Sequence, residues 1–72
     1  MRIHVDAPEL LPDLCDYLSR RGFLAVEVGA AEAQVALPKA PSEFEAAMLL
    51  LADIDLWRAK RAWVHVSLDP SG

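Results

Sequence analysis

The chain has 72 residues, 54% of them apolar, and carries seven basic against eleven acidic side chains for a net charge of −4. That balance argues against a nucleic-acid partner, which needs a basic stripe. The single cysteine, Cys15, excludes an intrachain disulfide, and the longest apolar run, Ala46 to Ala52, is seven residues, far short of the roughly 20 that cross a membrane. One domain is expected over 1–72, cytoplasmic and without a signal peptide, with little stability to spare at this size.

The first element is a half-buried strand. Arg2 to Asp6 alternates polar and apolar residues, with Ile3 and Val5 on one face. Asp6-Ala7-Pro8-Glu9 reads as a helix start, Asp6 the cap and Glu9 its capping-box partner. Leu10, Leu11, Leu14 and Leu18 then recur at helical spacing, and Gly22 ends the helix after Arg20-Arg21. Pro12 places the regular helix near its own position, with Pro8 to Leu11 as an irregular entry.

A second strand follows from Phe23 to Val28, with Leu24, Val26 and Val28 on one side. Gly29 to Glu32 turns the chain into a third strand, Ala33 to Leu37, with Val35 and Leu37 inward. Its alanines are also compatible with helix. Pro38 to Pro41 is a loop. Ser42-Glu43-Phe44-Glu45 is a capping box, opening a second helix that runs to about Arg61. Trp63 to Leu68 is the last strand, with Val64, Val66 and Leu68 inward, and 69–72 is a flexible tail.

Strand-helix-strand, twice over, with right-handed crossovers gives an α+β fold: the ferredoxin-like βαββαβ arrangement, a four-stranded antiparallel sheet with two helices on one face. The expected strand order is 4-1-3-2. Because Ile3, Val5, Val64 and Val66 face the helices, both histidines, His4 and His65, fall on the open face, where they could stand opposite one another.

Chemistry at that face is thinly supplied. A metal site needs three or four ligands, and only Asp6 and Glu27 were available to join the histidines. Ser67 shares the face with His65, but no oxyanion loop or third triad member accompanies it. The glycines, 22, 29 and 72, are never clustered as a phosphate loop requires. The basic clusters Arg20-Arg21 and Arg58-Ala59-Lys60-Arg61 sit where helices end, and complement the helix dipole. No enzyme activity, no metal and no cofactor are expected.

Relatives of this topology make further demands. An RNA-recognition module stacks bases on aromatic residues of its central strands; here those positions hold Arg2, His4, Gln34 and Ala36. A copper chaperone needs paired cysteines. An acylphosphatase-like enzyme relies on an asparagine, and the chain has none. Asp6-Ala7-Pro8-Glu9-Leu10-Leu11-Pro12-Asp13-Leu14, followed by Leu18 and Gly22, resembles the opening of ACT domains over residues 3 to about 28. The resemblance implies a regulatory or assembly module with the loop Asp6, Ala7, Pro8, Glu9, Leu10, Leu11 facing a small-molecule effector such as an amino acid. Glu9 stands where that family usually has glycine, adding bulk and charge.

The second helix is apolar beyond what one core face requires. Phe44, Ala47, Met48, Leu51 and Ile54, with Leu50 and Trp57, form the expected core stripe. Leu49 and Leu56 fall outside it and are interface residues by expectation, together with His4, Ala36, Trp63 and His65. Phe23 and Ala25 add to the open sheet face by the same expectation. The whole describes a small interaction module, a homodimer with a possible small-molecule effector, or an accessory protein docking through helix 2 or the open sheet face.

Overall fold

The computed structural model describes residues 1–69. Its elements are β1 (Arg2–Val5), a 3-10 helix (Pro8–Leu10), α1 (Leu11–Arg20), β2 (Leu24–Glu27), β3 (Glu32–Ala36), α2 (Glu43–Arg58) and β4 (Val66–Asp69). The strands form one antiparallel sheet in the order β2-β3-β1-β4, the expected order read from the other edge. Both helices contribute side chains to a single core against that sheet. The class is therefore α+β, consistent with a ferredoxin-like arrangement. Of the tail expected at 69–72, Asp69 closes β4, and 70–72 lie outside the described residues.

β1 follows its alternation: Ile3 and Val5 are fully buried and His4 is exposed. The prolines then shape the entry to α1. Pro8 opens the 3-10 helix, and Pro12 is the second residue of α1, where a missing N–H leaves no bond unmade. Asp6 does not cap this helix. Its Oδ1 accepts the His65 N–H at 2.9 Å, and its own N–H donates to the His65 carbonyl at 3.1 Å. The carboxylate thus extends the β1–β4 ladder beyond Val5 and leaves Ala7 at the cap position with no side-chain bond.

The end of α1 explains the largest departure from expectation. Gly22 has φ +96°, its N–H donates to the Ser19 carbonyl, and the Phe23 N–H reaches back to the Leu18 carbonyl. This is a Schellman closure, which brings the residue after the glycine against the last inward residue of the helix. Phe23 and Leu18 are both buried. With Phe23 inward, the strand period of two sends Leu24 and Val26 outward, 60% and 62% exposed. The expectation that Phe23 and Ala25 join the open face is overturned; Leu24, Val26 and Val28 are exposed instead, and Glu27 shares the helix-side phase of Phe23 and Ala25.

α2 begins as its sequence requires, the Ser42 Oγ accepting the Glu45 N–H at 3.1 Å. It presents Ala46, Leu50, Asp53, Ile54 and Trp57 to the core. The expected stripe holds for Leu50, Ile54 and Trp57, while Phe44, Met48 and Leu51 are exposed and Ala47 is only partly buried. Two polar contacts set this rotation. Trp57 Nε1 donates to Asp13 Oδ2 at 2.8 Å, and Arg21 Nε donates to Asp53 Oδ1 at 3.1 Å. The largest side chain and the buried carboxylate of α2 are thereby both turned toward α1 and its C-terminal end. A buried indole N–H or carboxylate left unpaired would cost about 1–3 kcal/mol, so these two residues outweigh the preference of interchangeable leucines.

β4 starts later than expected. After α2 the Arg61 N–H donates to the Arg58 carbonyl and the Val64 N–H to the Arg61 carbonyl. Arg58 Nε holds the Val64 carbonyl at 2.6 Å. These bonds curl 59–64 into turns, burying Val64 and leaving Trp63 at 65% exposure off the sheet.

Candidate functional site

The Asp6–Leu11 segment is closed against the protein. Ala7 and Leu11 are buried, Leu10 half-buried, and Pro8 and Glu9 exposed. Asp6 is occupied on both its backbone and its side chain by His65. A cleft of about 360 Å³ lies elsewhere, between the end of β3 and the start of α2, lined by Val35, Leu37, Pro38, Ser42 and Ala46 among others.

His4 lies on β1 and His65 just before the first residue of β4, and the two are not opposite each other. His4 is paired with Ser67 on β4 and with Glu32 on β3. Ser67 takes the position opposite His4 that was expected for His65, and His65, two residues earlier, lies diagonal to His4 and beside Asp6. His4 Nδ1 is 3.9 Å from Glu32 Oε2, with both side chains about half exposed. A carboxylate, a histidine and a hydroxyl thus lie in a row across β3, β1 and β4. The spacing to Glu32 is too long for a hydrogen bond, and the Ser67 hydroxyl has no bond to His4 among the described residues. No group of three or more His, Cys, Asp or Glu among the described residues could hold a metal ion.

The arginines of the basic clusters are engaged within the fold. Arg20 pairs with Asp16 one turn back at 2.8 Å, and Arg21 with Asp53. Arg61 lies 4.7 Å above the Trp57 ring, donates to the Trp57 carbonyl at 3.1 Å and pairs with Asp13 at 3.0 Å. Asp13 therefore serves two donors, and the segment after α2 is bolted to α1. Cys15 faces the core on α1. Burial pushes its thiol above the ordinary value of 9.0, and the Glu27 carboxylate pushes the same way.

What remains is apolar surface. Among the described residues nine large hydrophobic side chains are exposed, and five of them lie on α2: Phe44 at 75%, Leu56 at 61%, and Met48, Leu49 and Leu51 at about half. At about 100° per residue they cover most of the helix circumference that faces away from the core, with Ala52 in the middle and Glu45 and Asp55 as interruptions. The five together expose on the order of 500 Å², at the upper end for the largest apolar patch of a monomer. Leu49 and Leu56 were legible as a second face; Phe44, Met48 and Leu51 were not. The signal was present in Leu49-Leu50-Leu51, since three consecutive leucines on a helix cannot share one face. A second, smaller strip runs over the open side of β2 and β3, from Leu24 and Ala36, which are paired, to Val26 and Val28.

Among the described residues, no helix is long and apolar enough to cross a membrane. Comparison with known protein families, with curated proteins and with solved structures returned no match.

Proposed function

We propose that this chain is a small, non-enzymatic interaction module that works by assembly, the outer face of α2 being covered by a second copy of itself. The observation that supports this is the five large apolar side chains on that face. α2 carries large apolar side chains on both its inner and its outer side, and in a single copy only the inner side is covered. A standard interface takes about 800 Å² from each partner, which the apolar patch and its immediate rim can supply. Burial there adds stability to a domain too small to have much of its own.

A regulatory role follows from the same energetics. An effector that binds one assembly state better than the other shifts the equilibrium by the ratio of its two affinities. Pro8 and Glu9, exposed at the ACT-like segment, are where an amino acid or similar small molecule would meet the surface. The apolar strip of Leu24, Val26 and Val28 favours a second reading, an accessory protein that docks its open sheet face on a larger partner.

Light scattering after size exclusion, at neutral pH and over a range of concentrations, tests the first reading. The expected result is twice the monomer mass at high concentration, reduced to one by Leu56→Glu with the circular dichroism unchanged. A wild-type chain that stays monomeric throughout would overturn it and leave the accessory reading.

A further inference from the structure

Resting on the assembly reading, we infer that two copies pair through antiparallel α2 helices that cross at Ala52, on a twofold axis. Ala52 is exposed and central in the apolar arc. Met48 and Leu56 lie one turn to either side of it, so a twofold at Ala52 sets Met48 of one copy against Leu56 of the partner subunit, twice. An isologous contact must be self-complementary in this way. The small side chain at the centre lets the helices approach closely, and the two long apolar ones fill the space on each side.

The charges on the helix agree with this register. α2 is acidic at its start, with Glu43 and Glu45, and Lys60 lies just past its end. Arg58 and Arg61 are engaged by the Val64 carbonyl and by Asp13. Glu45 and Lys60 have no side-chain partner among the described residues. Antiparallel pairing brings Glu45 beside Lys60 of the partner subunit at both ends of the seam, and sets the helix dipoles head to tail. A parallel pair would place like charges together at each end.

The competing surface is less suited to a second copy. The middle of the open sheet face carries Arg2, His4, Gln34 and Glu32, paired across β1 and β3, and its apolar strip is confined to the β2 side. The α2 pairing yields a sheet-helix-helix-sheet body in which both open faces, with their histidines, stay outward and available.

Disulfide trapping tests the register separately from the assembly. Facing Cα atoms of helices packed 8–10 Å apart are about 4–5 Å from each other at the crossing, within reach of a disulfide. In a Cys15→Ala background, Ala52→Cys is expected to form a covalent dimer under mild oxidation. Glu45→Cys is expected to stay uncrosslinked, since the two copies of that position lie roughly 20 Å apart along the seam. If light scattering shows a dimer but Ala52→Cys does not crosslink, the register is wrong and assembly stands; if Val26→Cys crosslinks in its place, the open sheet face pairs and the α2 assembly falls with the register. If the chain is monomeric at every concentration, both proposals fail.

Discussion

α1 and α2 lie on the same face of the same sheet, and their outer sides differ. α1 turns Leu11, Leu14, Cys15 and Leu18 inward and Pro12, Asp13, Asp16, Ser19 and Arg20 outward, the two-sided pattern of a helix that meets water. α2 turns Leu50, Ile54 and Trp57 inward and Phe44, Met48, Leu49, Leu51 and Leu56 outward. The sheet and the core make the same demand of both helices. The difference lies in the outer sides alone, and it is the observation on which the proposed α2 assembly rests.

The sharpest way to break this comparison is to truncate one leucine from each category. Leu14 is fully buried, and Leu14→Ala is expected to cost about 3 kcal/mol, the usual range for a core leucine being roughly 2–5. Leu56→Ala, measured by urea unfolding at concentrations low enough to favour the monomer, is expected to stay within about 0.5 kcal/mol of wild type. Comparable losses at both positions would mean that Leu56 belongs to the monomer core and that the outer face of α2 is not a docking surface.

The fold itself was legible. Alternation in β1, the proline entry to α1, the Ser42 cap and the order of elements all follow from local chemistry, and right-handed crossovers left few topologies to consider. The phases of β2 and α2 were harder. β2 offers Leu24, Val26 and Val28 against Phe23 and Ala25, and alternation alone favours the three aliphatics. The decisive signal was Leu18 with Gly22-Phe23, a Schellman signature that commits Phe23 inward. For α2 no local pattern chooses the inner side, because apolar residues occur around its whole circumference. Its rotation is set by Asp13 meeting Trp57 and Arg21 meeting Asp53, pairs separated by 44 and 32 residues, and such long-range partners cannot be read from periodicity.

That dependence makes Asp13 the next test. Asp13→Ala removes the acceptor of the buried Trp57 N–H and the partner of Arg61, at an expected cost of about 1–2 kcal/mol. Because the bond orients α2, near-ultraviolet circular dichroism should change along with the unfolding midpoint. Asp13→Asn, which keeps an acceptor oxygen, should recover part of the loss. If Asp13→Ala is silent in both measurements, something other than this bond sets the rotation of α2.

A weaker handle is the thiol on the inner side of α1. The folded chain holds the Cys15 proton more tightly than the unfolded chain does, because burial raises the thiol above 9.0 with help from Glu27. The resulting stabilisation is fully present below the unfolded value and is lost as pH rises through the folded one. The urea midpoint should therefore fall more steeply as pH rises above the unfolded thiol value of about 8.5 in wild type than in Cys15→Ala. Equal slopes would show that the thiol does not feel the core.

The smallest expected effect probes the rim of the outer α2 face. Glu45 and Lys60 are exposed, and an exposed ion pair of this kind changes an equilibrium by a factor of about two to five. The twofold repeats the pair at both ends of the seam, so Glu45→Lys should weaken the dimer by about that factor for each of the two pairs at low salt, and Lys60→Glu alone should do the same, since each leaves like charges facing across the seam. The double exchange should restore the affinity, because the pair is re-formed with its sense reversed. High salt should compress all three differences, as screening requires. This pattern separates an antiparallel α2 seam from any contact in which the two residues never meet. In that case the single effects would simply add in the double variant, and the charges at the ends of α2 would have no part in choosing its partner.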